Sequence, residues 1–325
     1  MIVTRRTTLG LFTASLALAA CGSRSGGGGN QVVAFSQANN AEPYRAAQKA
    51  RMEELFAEVE GVELVVSDAQ QDSSRQIAQI ETFIRQRPAV LIVAPNERAA
   101  LTRVMGEAVA AGIPVICLER DILEPNYTTY ISIDNREIGR QVGEFIVSHL
   151  TEKYGEPRGK VVILRGLLGV EAQINRDEGA REVLSQHPGI TIVADPVADW
   201  LQSRAKDRMT EVLRTQSQID VVYGHNDPMA VGANLAAREL GRADEMIFVG
   251  VDGLGGDAGG IAKVMDGVLA ATFVYPLGVD EAVEVTTNIL ENPDYDPPKQ
   301  IELESTMVTP ENAAALFEGA TDPDA

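Results

Sequence analysis

Arginines, carboxylates and amides recur directly after the short apolar runs of this 325-residue sequence. Carboxylates and amides exchange hydrogen bonds with hydroxyl groups, and an arginine fork donates two such bonds side by side. Aromatic faces add apolar contact surface. This combination indicates a site for a small polyhydroxylated ligand. The side chains at these positions are Gln37, Glu119, Arg120, Asp134, Arg165, Asp199, Trp200, His225, Asn226, Asp227, Asp252 and Tyr275.

The apolar runs and the stretches between them are the elements that must position these side chains. Apolar residues at spacings of three and four predict helices over 75–84, 138–150, 209–213 and 229–240. Apolar strands that alternate with helices favour parallel sheets covered on both faces, and such sheets bind ligands at the carboxyl ends of their strands. We therefore predict an α/β fold with strands at 32–35, 63–66, 90–93, 115–118, 161–164, 190–193, 221–223, 247–251 and 270–275.

The strand–helix pattern occurs twice, from residue 31 to about 133 and from about 135 to 272. No long linker rich in Pro, Gly or Ser separates the two halves. The repetition predicts two doubly wound parallel-sheet lobes, between which the chain passes through short extended segments. The length of the chain also favours about two domains.

The first thirty residues have the features of an export signal followed by a tether. Arg5 and Arg6 precede an apolar run over 9–20 that is too short to cross a bilayer as a single helix. Leu18-Ala19-Ala20-Cys21 resembles a bacterial lipoprotein cleavage box, in which the cysteine thiol receives the lipid. We predict a signal peptide over 1–20, lipidated Cys21 and a flexible tether over 21–30, and a lipoprotein outside the cytoplasmic membrane or in the periplasm. The twin arginines leave the export route open.

Composition argues against several other classes of protein. A formal net charge of −19 disfavours nucleic acid as a partner, because phosphate backbones need clusters of Lys and Arg. Two cysteines cannot form a disulfide framework, and Cys117 is expected to be a buried apolar residue. The three histidines lack metal-ligand spacing, and the glycine-rich stretch 253–258 comes too late for a dinucleotide fingerprint. We expect neither a metal nor a cofactor.

Short segments spread over about 250 residues carry a resemblance to one family. They are Phe35-Ser36-Gln37, Tyr44-Arg45, Asp68-Ala69-Gln70-Gln71, Ala94-Pro95, Ile113-Pro114-Val115, Leu118-Glu119-Arg120, Asp134-Asn135, Arg165-Gly166, Asn175-Arg176-Asp177-Glu178-Gly179, Asp199-Trp200, His225-Asn226-Asp227-Pro228-Met229-Ala230 and Val251-Asp252-Gly253. In this order they resemble the bacterial sugar-binding proteins of the ribose/galactose type, the substrate receptors of ABC importers. They are most similar to the galactofuranose-binding branch.

The resemblance implies a type I periplasmic binding protein fold, in which two lobes joined by a three-segment hinge close around one sugar. We expect one lobe over 31–133 with 274–300 and the other over 134–273 with 301–325. The implied protein is a monomer that is not an enzyme. It captures a pentose or hexose, with a furanose as one candidate, and delivers it to an ABC permease in the membrane.

The resemblance also implies roles for single residues. Trp200 matches the aromatic residue that stacks on the sugar ring, and Tyr275 stands at a polar position beside the hinge. Each role has an alternative: Arg120 could form an exposed ion pair, and Arg176 could lie on the solvated face of a charged helix start. Trp200 could be a core residue. We expect Asp227 to cap the next helix and Asn226 to bind the sugar. Four residues match positions that hold sugar hydroxyls: Arg120, Arg176, Asn226 and Asp252.

Four further residues are expected at the wall or rim of the same site. Arg45 matches an arginine of the galactofuranose branch, and Glu119 stands where many relatives carry aspartate. Gln37 and Asp134 are expected wall or rim contacts.

Two other functions stay open. The same lobes could report the sugar to a membrane sensor instead of an importer. Asp252 and Glu119 could also serve as the paired carboxylates of an exported sugar-active enzyme, since glycosidases need two such groups at a set separation.

Overall fold

The computed structural model describes residues 30–321, so the predicted signal peptide and Cys21 lie outside the described residues. In chain order, the strands are β1 Gln31–Gln37, β2 Val62–Asp68, β3 Val90–Val93, β4 Val115–Leu118, β5 Thr129–Ile133, β6 Arg158–Leu164, β7 Gly189–Ala194, β8 Val221–Gly224, β9 Ile247–Val249, β10 Thr272–Phe273, β11 Gln300–Leu303 and β12 Met307–Val308. The helices are α1 Pro43–Ala57, α2 Ser73–Gln86, α3 Arg98–Ala110, α4 Asn135–Tyr154, α5 Glu171–Leu184, α6 Gln202–Thr215, α7 Asp227–Glu239, α8 Gly260–Met265, α9 Val279–Glu291 and α10 Ala313–Thr321.

The first lobe is built on a six-stranded parallel sheet of order β11-β5-β4-β3-β1-β2. Its two faces bury separate apolar clusters. One cluster includes Ile80 of α2 and Met105 of α3, and the other includes Met52 of α1 and Val279 of α9. Helices therefore cover both faces, as expected for a doubly wound sheet.

The second lobe has a four-stranded parallel sheet of order β7-β6-β8-β9. Helices α4 and α5 cover one face with side chains such as Ile146 and Ala180, and α6 and α7 cover the other with Met209 and Ala233. Beside β9, the short strands β10 and β12 form an antiparallel pair. The predicted α/β fold with two doubly wound lobes is confirmed.

The chain crosses between the lobes three times: at residue 134, over 274–278 and over 304–306. The last crossing lies later than predicted. Strand β11 pairs with β5 in register Gln300↔Tyr130 to Leu303↔Ile133, so it belongs to the first lobe. The expected boundary after residue 300 is therefore three residues too early, because the returning chain first completes the sheet edge.

Each of the nine predicted strands corresponds to a strand of the structure, although β10 is only two residues long. Three strands are missing from the prediction: β5, β11 and β12. The four predicted helices are present and longer than predicted. For example, α4 begins three residues before its predicted start and α6 begins seven residues before. No helix among residues 30–321 is long and apolar enough to cross a membrane.

Helices α4 and α5 are in backbone contact because glycines line their crossing. An ideal Cβ atom at Gly179 would lie 2.2 Å from the carbonyl oxygen of Arg136, and one at Gly139 would lie 2.5 Å from that of Arg176. Real side chains do not approach backbone atoms this closely. The two glycines therefore set the distance between the helix that begins at the hinge and the helix that carries Arg176.

We expect Gly179→Ala to lower the free energy of unfolding by about 1–3 kcal/mol, because the added methyl group must push the helices apart. Urea denaturation measures the change. Gly106→Ala is the matched control, since its Cβ would meet only the flexible Asn126 side chain and alanine favours a helix. Equal midpoints for Gly179→Ala and the wild type would contradict the close approach.

Candidate functional site

A buried cavity lies between the two lobes, beside the hinge. The first lobe contributes the start of α1 and the end of β4, the second contributes α5 and three strand ends, and the hinge contributes Tyr275. Eight of the ten predicted site residues line it; the two that do not are Gln37 and Asp134. The lining residues are Glu42, Tyr44, Arg45, Glu119, Arg120, Ala172, Arg176, Trp200, Asn226, Asp252 and Tyr275.

A buried ion pair forms the wall of the first lobe. Arg45 Nη2 donates to Glu119 Oε2 at 2.5 Å, and the two side chains are 1% and 2% exposed. The hydroxyl of Tyr275 donates to the other oxygen of Glu119 at 2.9 Å. Both carboxylate oxygens of Glu119 are thus engaged by protein groups, which makes this side chain a support that orients Arg45 and Tyr275.

Two arginines in this wall share the Glu119 carboxylate. Burial alone would raise the pKa of Glu119, but the guanidiniums of Arg45 and Arg120 hold it below its usual value. Burial and the positive charge of Arg45 lower the pKa of Arg120, although Glu119 partly offsets them. One carboxylate therefore serves two arginines, and Arg120 is the less satisfied of the pair.

Gln37 lies behind this wall and does not line the cavity. Its amide nitrogen donates to Gln48 Oε1 at 3.0 Å, and the same oxygen accepts a bond from Arg45 Nη1 at 3.1 Å. The expected wall or rim contact of Gln37 is therefore wrong. Strand β1 directs this side chain into the first lobe, where it supports Arg45 through Gln48.

Arg176 dominates the wall of the second lobe. Its Nε donates to Asn135 Oδ1 at 2.9 Å and its Nη1 to the carbonyl oxygen of His225 at 2.6 Å. Its guanidinium carbon lies 4.3 Å from the centroid of the Tyr275 ring, a distance typical of a cation–π contact. Arg176 is only 2% exposed, so the alternative of a solvated face at a charged helix start is excluded.

Trp200 lies between guanidiniums of both lobes. The centroid of its ring is 5.9 Å from the guanidinium carbons of Arg120 and Arg176. Asp199 and Trp200 both have positive φ angles, 51° and 69°, so a tight left-handed turn presents the indole. A Cβ atom at residue 166 would lie 2.2 Å from the indole, so the indole can occupy this position only because residue 166 is a glycine.

Asp252 follows β9 in a backbone conformation that L-residues rarely adopt, with φ at 141°. Among the described residues its Oδ2 has no hydrogen-bond partner, although the residue is only 5% exposed. Burial and the neighbouring carboxyl of Asp227 raise its pKa well above the usual value. A buried carboxyl with a free oxygen exchanges a hydrogen bond with a ligand hydroxyl.

Asn226, and not Asp227, is the residue that caps α7. Asn226 caps α7, with Oδ1 accepting from the amide of Met229 at 3.0 Å, and its Nδ2 donates to the carbonyl oxygen of Trp200 at 3.1 Å. Asp227 instead accepts bonds from Thr272 Oγ1 at 2.6 Å and the amide of Gly253 at 2.9 Å. The predicted cap at Asp227 is wrong, and Asn226 lines the cavity while holding the indole segment in place.

Asp134 is exposed and lies outside the cavity. It caps α4 by accepting a bond from the amide of Glu137 at 2.9 Å, so its expected wall or rim contact is wrong. The next residue, Asn135, contacts the site instead: its Nδ2 donates to the Tyr275 hydroxyl at 3.1 Å and to Glu171 Oε2 at 2.9 Å. The sequence analysis therefore selected Asp134, whereas the next residue, Asn135, is the one that contacts the site.

Glu171 is a buried carboxyl behind the cavity. Burial and the negative charge of Asp121 raise its pKa to about 7. A carboxyl of the unfolded chain has a pKa near 4.3, so the folded protein retains a proton that the unfolded chain releases. Its contribution to stability is therefore fully present below about pH 4 and is lost as the pH rises towards 7.

We expect Glu171→Gln to reduce the loss of stability between about pH 5 and pH 8, because the amide does not ionise. Urea denaturation midpoints measured across this range give the slope of stability against pH. Glu178→Gln, an exposed change on the same helix, is the control and should keep the wild-type slope. An unchanged slope in Glu171→Gln would exclude Glu171 as a source of the pH dependence.

The lobes are close together in this structure. The cavity has a volume of only about 20 Å³, room for about one water molecule. A larger ligand enters only when the lobes separate or the arginine side chains shift. The described residues contain no group of three or more His, Cys, Asp or Glu side chains that could hold a metal ion.

Residues 33–294 match the periplasmic binding protein domain family, and the chain belongs to this family. The galactofuranose-binding protein YtfQ of Escherichia coli is 28% identical over 281 residues, which cover 85% of this chain and 83% of YtfQ. The ribose import binding protein RbsB of Salmonella typhimurium is 30% identical over 234 residues, covering 71% of this chain and 75% of RbsB. The resemblance expected from the sequence is confirmed.

A similar solved structure extends the comparison to the fold. The fructose-binding periplasmic domain of a hybrid two-component system superposes with a TM-score of 0.83 at 35% identity, over 89% of this chain and 94% of that domain. This likeness confirms the type I periplasmic binding protein fold.

Proposed function

We propose that the protein captures a monosaccharide between its lobes and delivers it, chemically unchanged, to an ABC importer. The observation that carries this proposal is the convergence of three buried guanidiniums, three buried carboxyls and one indole face on a single cavity beside the hinge. A ligand that contacts both walls favours the closed form by its difference in affinity for the two states. The sugar-binding relatives support a sugar as this ligand.

The location follows from the family and the first residues of the chain. Periplasmic binding proteins act outside the cytoplasmic membrane, and the predicted export signal agrees with that place. Lipid on Cys21 and a glycine-rich tether would keep the protein near the importer.

Calorimetric titration with D-ribose, D-galactose, L-arabinose, D-fructose, D-glucose and xylitol tests the proposal. We expect saturable binding of one compound at one site per chain. The compound recovered from the complex should be unchanged, as capture without catalysis requires. Heat signals at the level of dilution for every compound would contradict a monosaccharide receptor.

A sensor is the second candidate function, because the solved domain with a TM-score of 0.83 belongs to a two-component system. The closed lobes would then contact a membrane kinase instead of a permease. Cross-linking of the sugar-loaded protein in its native membrane, followed by identification of the attached chain, distinguishes the two. A permease subunit supports the importer and a kinase supports the sensor.

An exported sugar-active enzyme is less well supported. It would need Glu119 and Asp252 as acid and nucleophile or base. Glu119 uses both of its oxygens in bonds to Arg45 and Tyr275, and its pKa is lowered, which does not suit a proton donor. Release of free sugar and phenol from an added phenyl glycoside would favour the enzyme, because a glycosidase hydrolyses the glycosidic bond.

A further inference from the structure

A second cavity, of about 410 Å³, adjoins the sugar cavity described above. Asp252 lines both cavities. Pro43 lines the second, while its neighbours Glu42 and Tyr44 line the first. The volume falls within the usual range of small-molecule sites, roughly 300–1,000 Å³. The two cavities therefore share the Asp252 side chain and lie on either side of the start of α1.

The walls of the second cavity are mainly apolar and come from both lobes. Pro43 belongs to the first lobe, and Pro228, Val231 and Leu254 belong to the second. A group held here thus contacts both lobes when they are close together. It gains stabilisation by burial of apolar surface and needs few hydrogen bonds.

The charges around the second cavity disfavour an anionic occupant. Asp227, Asp252 and Asp257 line it, against one cation, Lys263. The lysine ammonium is already held by the carbonyl oxygen of Asp257 at 3.2 Å and by Asp266 at 3.5 Å. A phosphate or carboxylate placed here would meet the acidic side chains of Asp227 and Asp257 and an ammonium that already has partners. Asp252 adds little negative charge, since its pKa is raised well above the usual value.

We infer that the preferred ligand is a neutral glycoside, whose sugar ring occupies the first cavity and whose O-linked substituent occupies the second. This inference rests on the proposed function and narrows its substrate class from a free monosaccharide to a substituted one. The Oδ2 atom of Asp252 is buried and has no partner among the described residues. Standing at the boundary, it accepts a hydrogen bond from the ring hydroxyl next to the substituent.

Calorimetry with matched ligands tests this inference. The probes are D-galactose, D-ribose, L-arabinose and D-fructose, the phenyl glycosides of each in both anomers and ring forms, and the corresponding sugar 1- or 2-phosphates. For the sugar that binds, we expect one phenyl glycoside to bind at least as tightly as the free sugar. We expect the phosphate to bind about tenfold more weakly or worse.

A matched pair of variants on α7 locates the substituent. Val231→Phe narrows the second cavity and should lower the affinity for the phenyl glycoside by about tenfold or more. The affinity for the free sugar should stay within about twofold of the wild-type value. Leu235→Phe makes the same kind of change at an exposed position one turn along the helix and should alter neither affinity.

The outcomes separate this inference from the proposed function. Tight binding of a free sugar, with every phenyl glycoside at least a hundredfold weaker, overturns the inference and leaves the sugar receptor intact. Equal weakening of free sugar and glycoside by Val231→Phe also overturns it. If no free sugar and no glycoside binds, both the inference and the proposed function are wrong.

Discussion

Replacing Glu119 with alanine is expected to lower the free energy of unfolding by about 3–5 kcal/mol, the usual cost of removing one partner from a buried ion pair. Arg45 and Glu119 are almost fully buried, and Glu119 also faces Arg120, whose Nε lies 3.7 Å from it. Without the carboxylate, two buried guanidiniums lose their shared counter-charge and repel each other. The Tyr275 hydroxyl loses its acceptor at the same time.

Urea denaturation at neutral pH measures this change as a shift of the midpoint. Glu53→Ala is the control: Glu53 forms an exposed i,i+4 pair with Lys49, and such pairs contribute about 0.3–0.5 kcal/mol. The lowered pKa of Glu119 means that its contribution is present above about pH 4 and is lost on acidification. The urea midpoints of Glu119→Ala and of the control should therefore approach each other as the pH falls below about 4. A Glu119→Ala midpoint equal to that of the control at pH 7 would refute the buried ion pair.

Arg176→Ala should weaken binding of the sugar found in the panel by about a hundredfold or more, since hydrogen bonds to charged groups contribute about 1.5–3 kcal/mol each. Arg176 is fixed by Asn135 and His225 before any ligand arrives, so its guanidinium is held ready at the cavity. It also lies against the rings of Tyr275 and Trp200. Its removal takes away a donor and loosens both aromatic faces.

Calorimetry on the purified variants measures this effect. Arg140→Ala is the matched control, because Arg140 is a surface arginine of α4 paired with Glu137 and Glu144. It should bind the sugar as the wild type does. Circular dichroism and the urea midpoint show whether Arg176→Ala is folded. A folded Arg176→Ala protein whose dissociation constant stays within threefold of the wild type would remove Arg176 from the site.

The main features of the fold could be predicted because buried parallel strands are nearly continuous apolar runs. The same rule misses strands whose polar side chains are satisfied by a distant segment of the chain. In β5, the hydroxyls of Thr129 and Ser132 donate to the carbonyl oxygens of Pro298 and Ile301. Strand β11 alternates half-buried and exposed residues at the sheet edge. Neither strand forms an apolar run, so neither could be recognised in this way.

The candidate site could be predicted to within a residue or two, since strand ends meet at one edge of each sheet. The errors arise where the local direction of the side chain matters. Gln37 points into the first lobe, Asp134 serves as a helix cap, and Asn226 rather than Asp227 caps α7. Glu171 could not be found from sequence, because its burial depends on packing between α4 and α5.

The fluorescence of Trp200 tests the central claim most directly, because it is the single tryptophan of the chain and lies against arginines of both lobes. The protein is titrated with the sugar that binds in calorimetry. We expect a saturable change in emission with the same midpoint as the heat signal, since the sugar meets the indole between the lobes. Saturable heat with no change in Trp200 emission would contradict the account, because the sugar would then bind outside this cavity.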